Sequence, residues 1–363
     1  MLKWYEETGE QKDIVISSRV RLARNFENYP FSATLKNDQA QILVNEIMKE
    51  TAKVKQSEQA YLFSEMDKLS EIEKYAMMER HLISRTMVQK KQKCAVAISP
   101  NESISIMMND DDHIRIQSIQ SGLSLDNAYG QVAELEDWLG EAFAYAFDEK
   151  YGYLTSRVTD IGTGMRASCI LFLPALTGAG GIIRLSEEVA KYGISMKPLN
   201  IEGALGTSFL YLVSNQKTLG VTENDILINL KNIVLQIIKQ ERKRREYILT
   251  NNYDELEDQV YRSYGVLKYT KQISTKDAMT LLAQVKFGLD TKIIEFDNSK
   301  QPDELENDNN AIDTLNTSDI YAIMVNIQAY NMQCRNGKYA GSKLRDKNRA
   351  EYLNYTLPKL KQS

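Results

Sequence analysis

Residues 13–25 read DIVISSRVRLARN, and their apolar and polar residues alternate well enough to specify a β-strand. In such a strand Arg19 and Arg21 leave one face, while Val20 and Leu22 leave the other. Two guanidiniums side by side repel each other, so the pair suits a face that receives an anion between them; a solvated sheet face is the alternative. Arginine is favoured over lysine in a phosphate receptor because its planar fork binds oxygens bidentately.

Outward from this strand, Lys36 to Lys55 carries Ile42, Leu43, Ile47 and Met48 as a helical stripe. Residues 94–98 (CAVAI) and 103–108 (SISIMM), separated by the turn-like SPNE, specify a hairpin. An acidic step follows directly at Asn109, Asp110, Asp111 and Asp112. Asp126 to Lys150 reads as one long amphipathic helix with Val132, Leu135, Trp138, Leu139, Phe143 and Phe147 on its buried side. Two more strands are expected at Cys169–Leu173 and Phe209–Val213, and a helix at Glu223–Leu249 ends in Arg242-Lys243-Arg244-Arg245, a run that reads as a solvated helix end. Beyond residue 245 strand signals become rare. Ser274 to Asp277 resembles a capping box opening a helix, 297–310 is an acidic, Asn-rich loop, and Ile320 to Tyr330 is a further apolar-striped helix. The expected division is a domain of mixed α and β structure over 14–245 and an all-helical domain over 246–363.

The length of 363 residues suits two domains at roughly 100–200 residues each. With 45 Lys and Arg against 49 Asp and Glu, the net charge of −4 does not suit a chain-wide nucleic-acid binder. His81 and His113 are the only histidines, so any Ser-His, Cys-His or His-rich metal chemistry must use one of them. Cys94, Cys169 and Cys334 form no C-x-x-C pair, which speaks against a zinc site or disulfide framework and for a reducing, cytoplasmic setting. No run reaches the roughly 18 apolar residues of a membrane span, and the start, MLKWYEETGEQKD, is too polar for a secretory signal.

Three further groups bear on chemistry. Asp110, Asp111 and Asp112 fit an exposed turn, ligands for Mg²⁺, or a receptor for a cationic substrate. Asp160 to Ser168 contains G-x-G-x-x-A, but the apolar strand CILFL follows the motif instead of preceding it, which excludes a dinucleotide-binding turn. Its two glycines beside Arg166 still suit a backbone nest for phosphate. The P-loop pattern and the usual protein-kinase signatures are absent, so arginines would hold any nucleotide.

Four segments together, SSRVRLARNFENYPF (17–31), NDDDHIRIQS (109–118), IGTGMRAS (161–168) and SNQKTLGVTENDI (214–226), resemble the phosphagen (guanidino) kinase catalytic domain, in the same order. Within that family the chain is similar to the bacterial protein-arginine kinases. The arginine-bearing strand begins near residue 14, without the helical domain that precedes it in kinases of small guanidino substrates. In addition, Arg345-Asp346-Lys347-Asn348-Arg349-Ala350 matches the phosphoarginine-binding motif R-D-x-x-R-A.

The resemblance implies an α+β fold, an antiparallel sheet flanked by helices, followed by a helical domain for phosphoarginine binding and dimerisation. It implies ATP and Mg²⁺ as cofactors, with nucleotide contacts from Ser17, Ser18, Arg19, Val20, Arg21, His81 and Arg115. Further contacts would come from Arg166, Ala167, Ser168, Cys169 and Ile170, and from Lys197, Pro198, Leu199, Asn200, Ile201 and Glu202. Asp111 and Glu202 would flank the target guanidinium as catalytic carboxylates, and Arg345, Asp346, Lys347, Asn348, Arg349 and Ala350 would form an allosteric phosphoarginine pocket; no dedicated protein metal ligand is implied. The implied activity is phosphorylation of exposed arginines in proteins, marking them for a Clp ATPase-protease. Implied partners are an activating adaptor, that protease, a heat-shock repressor and a second copy of the chain, with no membrane and no direct nucleic acid.

Three positions depart from the family pattern. Thr155-Ser156-Arg157-Val158-Thr159-Asp160 stands where the family has T-S-C-P-T-N, so Arg157 replaces a thiolate; it should repel the substrate unless Asp160 pairs with it. Asp111 is a methylene shorter than the usual glutamate, and Lys197 replaces an arginine. These departures define the alternative reading, a catalytically weakened phosphoarginine-binding regulator. A kinase for free arginine or another small guanidino metabolite is the third.

Overall fold

The computed structural model describes residues 1–54, 60–201, 204, 206, 208–297, 319–336 and 341–361. Its strands are β1 (Val15–Arg24), β2 (Leu62–Glu65), β3 (Ala95–Ile98), β4 (Ile104–Met108), β5 (Ile114–Ser121), β6 (Phe147–Asp148), β7 (Gly152–Tyr153), β8 (Met165–Phe172), β9 (Ile194–Pro198) and β10 (Leu210–Asn215). The helices are α1 (Asn37–Thr51), α2 (Glu71–Glu79), α3 (Arg85–Gln89), α4 (Leu125–Ala142), α5 (Pro174–Gly178), α6 (Ile182–Ala190), α7 (Glu223–Asn251), α8 (Tyr253–Tyr269), α9 (Thr275–Asp290), α10 (Ile320–Asn326), α11 (Ala329–Asn336) and α12 (Ser342–Thr356). Eight strands form one sheet in the order β2-β3-β4-β5-β1-β8-β10-β9, and β6 and β7 form a separate ribbon. The architecture is α+β, with β1 between β5 and β8 and antiparallel to both.

The chain forms two compact units, one of residues 1–171, 182–197 and 211–238, the other of 172–181, 198–210 and 239–363. In the first, α4 packs on β1 and β5. The face it covers is that of Ser18, Val20 and Leu22. Ser18 Oγ accepts from Ser124 N at the start of α4 (2.9 Å), Ser118 Oγ donates to Gln131 (2.8 Å), and Arg24 Nε donates to Glu136 (2.9 Å). Val20 and Leu22 are buried on that face, as are Val132, Leu135 and Leu139 of α4, each burial contributing about 1.5–3 kcal/mol. A smaller core lies at the other end of the sheet, where Met66, Leu82, Ile83, Met87, Cys94, Val96, Ile98 and Met107 cluster. The hairpin read from residues 94–108 is β3 and β4, paired from Ala95–Met108 to Ile98–Ser105.

The long helix expected over 126–150 ends at Ala142, because tertiary pairing captures the chain beyond it. Glu27 N donates to Ala144 O (3.0 Å), Ala146 N donates to Asn25 O (2.8 Å), and Phe143 stacks on Phe26 at 4.5 Å. Phe147 therefore lies in a ribbon strand, 59% exposed, and Trp138 is 41% exposed, so neither belongs to the buried stripe expected for them.

In the second unit α8 packs on α9 and α12, and α10 on α9. A Cβ at Gly288 would stand 2.3 Å from Val260 Cγ1, so glycine at that position sets how closely α9 approaches α8. Ser274 caps α9, its Oγ accepting from Asp277 N at 3.1 Å. The helix expected at 320–330 is α10 and the start of α11; the acidic loop read at 297–310 lies, beyond Asp297, outside the described residues.

Arg245 corrects the reading of the basic run as solvated. It is buried, donating to Glu241 Oε1 (2.9 Å), while Glu241, fully buried, also accepts from the Ala175 and Leu176 amides that open α5 (3.1 and 2.9 Å). Removing one partner of a buried pair strands the other. Glu241→Ala is expected to destabilise this unit by about 3–5 kcal/mol, with Glu241→Gln costing less; urea unfolding followed by circular dichroism measures both.

Candidate active site

Strand register assembles the site. Opposite residues of antiparallel strands share a face, and Arg19 lies opposite Ile119 and Ser168, Arg21 opposite Gln117 and Arg166, and Ala23 opposite Arg115. Arg19, Arg21, Arg115 and Arg166 therefore crowd one face of three adjacent strands, opposite the face that α4 covers. Burial first, then the charges of Arg115 and Arg19, push the pKa of Arg21 well below the ordinary guanidinium value; Asp160 and Asp110 offset only part of this. Such a cation cluster is complementary to a polyanion. Arg166 is oriented by Asp160 Oδ1 (2.7 Å) and by Asn215 O (2.6 Å), and Arg19 Nε reaches Ser168 Oγ (3.3 Å).

The two segments expected to contact nucleotide, 17–21 and 166–170, contribute only alternate side chains to this face. Ser17, Arg19, Arg21, Arg166, Ser168 and Ile170 point toward it, whereas Ser18, Val20, Ala167 and Cys169 point into the core under α4. Burial pushes the Cys169 thiol up to about 12, with Ser18 Oγ 3.6 Å from its sulfur, so it is a core group without thiolate character. His81, with Ser17, Arg19, Ile119, Ser168 and Ile170, lines a narrow recess on the arginine face. Its backbone is left-handed (φ 65°), held by Leu82 and Ile83 in the smaller core and by Gln117 Nε2, which donates to His81 O (2.8 Å). Burial, then the charge of Arg19, lowers the pKa of His81 to about 4, leaving a neutral imidazole at physiological pH. His113 is structural. Its Nδ1 accepts from Phe26 N (2.9 Å), so Nε2 carries the hydrogen and donates to Pro30 O (2.7 Å).

The acidic step resolves into three carboxylates with different tasks. Asp110 is fully buried, accepting from Ser84 Oγ (2.7 Å) and Arg115 Nη1 (2.5 Å). Asp112, also fully buried, accepts from Asn25 Nδ2 (2.8 Å) and Ser156 N (2.7 Å). Asp111 alone opens toward solvent. Its Oδ2 lies 3.1 Å from Arg115 Nη2 on the inner side and 2.7 Å from Arg157 Nη2 on the outer side. Burial raises its pKa, but Arg115, Arg157 and the Thr86 hydroxyl more than reverse this, so Asp111 is ionised below the usual carboxylate range. Asp160, the partner expected for Arg157, is engaged by Arg166; Arg157 pairs with Asp111 instead.

Gly162 and Gly164 form no phosphate nest, correcting that expectation. The amides of Gly162 and Thr163 donate to Tyr153 O (3.3 Å) and Thr218 O (3.0 Å). A Cβ on Gly162 would stand 2.1 Å from Thr218 O and one on Gly164 2.6 Å from Ala23 O, so these glycines permit close backbone approach. Lys197 and Pro198 are exposed at the end of β9, Asn200 is exposed, Leu199 and Ile201 are buried, and Glu202 lies outside the described residues. In the second unit Arg349 is 1% exposed and donates to Ile327 O (3.0 Å), Ile273 O (2.8 Å) and Asp346 Oδ1 (2.6 Å). Ala350 is also buried, Arg345, Asp346 and Asn348 are half-buried and Lys347 is exposed.

Two residues of the site escaped sequence reasoning. Gln117 lies two residues from Arg115 on one strand, so strand parity places it on the arginine face. Asn215 lies in a segment that carried the family resemblance; its side chain accepts from Ala167 N (2.8 Å) and donates to Met165 O (3.1 Å), tying β10 to β8 beneath Arg166.

An arginine-lined sheet face beside an ionised carboxylate that already holds a guanidinium has the parts of a guanidino phosphotransferase. Comparison with known proteins agrees. The family described as ATP:guanido phosphotransferase, C-terminal catalytic domain, matches residues 42–244, and that described as protein-arginine kinase McsB C-terminal domain matches 253–309. The fold is shared with the duplicated taurocyamine kinase of Schistosoma mansoni (TM-score 0.59, 23% identity, 68% of this chain and 37% of that one). It is shared also with lombricine kinase (TM-score 0.57, 17% identity, 66% and 69%). Among curated relatives, the protein-arginine kinase of Halothermothrix orenii is 35% identical over 98% of this chain and 96% of its own length. Those of Desulforamulus reducens and Bacillus mycoides are each 40% identical over 80% of this chain and 82% of theirs. The chain belongs to the protein-arginine kinase family of the ATP:guanido phosphotransferases.

The residues present fit ATP, since the cation cluster around Arg21 calls for a polyanion. For Mg²⁺, no group of three or more His, Cys, Asp or Glu side chains could hold an ion among the described residues, and the carboxylates of the acidic step diverge toward separate partners. An ion bound chiefly by nucleotide phosphates and water suits such a surface. Among the described residues no helix is long and apolar enough to cross a membrane.

Proposed function

We propose that the chain transfers the γ-phosphoryl group of ATP to a guanidino nitrogen of arginine side chains in proteins. The observation that carries this reading is Asp111, an ionised carboxylate that binds a guanidinium at 2.7 Å beside a sheet face bearing four arginines. Phosphoryl transfer asks little covalent work of a protein; alignment and neutralisation of the equatorial oxygens dominate. Arg19, Arg21 and Arg166 would receive the phosphates, and Mg²⁺ arriving with the nucleotide supplies further neutralisation. Asp111 orients the acceptor guanidinium and accepts its proton as the nitrogen attacks. Arg115, tied to Asp110, Asp111 and Asp112, fixes that carboxylate in place. Glu202 is the second carboxylate of this reading, and half-buried Arg345 with buried Arg349 would hold phosphoarginine. Marking of proteins for a Clp ATPase-protease, control by an adaptor, action on a heat-shock repressor and homodimerisation belong to the same proposal.

Incubation of the chain with Mg-ATP and an arginine-rich protein is expected to yield acid-labile phosphoarginine, detected by mass spectrometry under neutral handling. No product at high enzyme concentration overturns the proposal. A second reading, a noncatalytic phosphoarginine-binding regulator, draws on Arg157 standing on the catalytic carboxylate. It requires a phosphoarginine peptide to bind without turnover and to be lost in Arg345→Ala.

A further inference from the structure

Arg157 holds its position through its backbone as well as its side chain. Its carbonyl accepts from Thr155 Oγ1 (2.8 Å) and from Asp160 N (2.9 Å). The preceding amide, Ser156 N, donates to Asp112 Oδ1 (2.7 Å), within the same acidic step that carries Asp111. The side chain, 53% exposed, then reaches Asp111 Oδ2 from the solvent side, opposite Arg115. Solvent is also where a protein-borne arginine must come from. Asp111 Oδ2 thus already accepts one guanidinium from within and one from without.

We infer that Arg157 is an internal occupant of the acceptor site, a guanidinium that competes with the incoming substrate arginine for Asp111 and must be displaced before transfer. This rests on the reading of Asp111 as the acceptor-binding carboxylate. A tethered competitor lowers apparent affinity by the fraction of time it leaves the site free. An exposed pair is a weak one, so the barrier is modest and displaceable, which suits a gate that favours substrates with several nearby arginines or a high local concentration.

The test is equilibrium binding of an arginine-containing peptide to the full-length chain and to Arg157→Gln, by calorimetry in the absence of nucleotide. Arg157→Gln is expected to bind about five-fold tighter. In the Asp111→Asn background the same substitution is expected to give no such gain, because the competition runs through that carboxylate. Equal affinity of the chain and Arg157→Gln overturns the inference. So does a gain that persists in the Asp111→Asn background, since long-range repulsion would then explain it. Carbon-13 titration of the Asp111 carboxyl supplies a second readout: its pKa should rise in Arg157→Gln, and an unchanged value counts against the pair. Failure of the kinase reading is separable, appearing as missing phosphoarginine with either chain whatever the peptide affinities.

Discussion

Asp111→Asn is expected to lower kcat for phosphorylation of an arginine-bearing protein by about 10²–10⁴-fold while leaving the affinity for ATP within a factor of a few. The substitution keeps the shape of the side chain and its contact with Arg115, but removes the charge that, in the proposed reaction, orients the acceptor and takes its proton. The fold should survive, because Asp110 and Asp112, both fully buried, still hold Arg115. Asp111→Glu separates charge from reach: it restores the carboxylate one methylene further out, and partial recovery is expected where Asp111→Asn gives none. ADP release at saturating substrate, with ATP affinity measured separately, checks these outcomes. Wild-type kcat in Asp111→Asn would remove Asp111 from the reaction. Because Arg115 and Arg157 hold its pKa below the ordinary carboxylate value, Asp111 remains charged at neutral pH. Any acid limb it imposes on the rate lies below the usual carboxylate range.

How far the sequence carries is set by whether a feature depends on local periodicity or on distant packing. The parity of Ser17 to Leu22 put Arg19 and Arg21 on one face, and that face exists as read. The helix start at Ser274, present as an N-cap without the reciprocal bond of a capping box, and the hairpin at 94–108 are likewise local and legible. What was not legible depends on partners far along the chain. The end of α4 at Ala142 follows from pairing of residues 25–27 with 144–146, which overrides a helical pattern that continues to Phe147. The i,i+4 spacing of Glu241 and Arg245 was visible, but its burial against the amides of Ala175 and Leu176 was not. Of the three adjacent aspartates, only the fold distinguishes the two buried anchors from the one open to solvent. Asn25, Ser84 and Ser156 make that distinction from three separate segments.

Arg21→Gln is expected to weaken ATP binding by about 10–100-fold and, at the same time, to raise the thermal stability of the nucleotide-free protein. Both signs follow from one observation. Arg21 stands half-buried between Arg19 and Arg115, and both cations, together with desolvation, disfavour its charge. In the free protein that charge is a cost to folding, so a neutral, hydrogen-bonding residue relieves it. In the proposed nucleotide complex the same charge would meet phosphate, where charge-assisted contacts are worth about 1.5–3 kcal/mol. The two terms can be separated by thermal unfolding with and without Mg-ATP. The chain should gain stability from nucleotide as RT ln(1 + [ATP]/Kd), and Arg21→Gln should start higher and gain less. Arg24, one strand face away, is the control. It is buried with its Cζ 3.4 Å from the Tyr153 ring centroid and its Nε on Glu136, so Arg24→Gln should lower stability without selectively reducing the response to nucleotide. A fall in the stability of nucleotide-free Arg21→Gln would mean that Arg21 braces the sheet, and the assignment of this face to phosphate would then lose its physical basis.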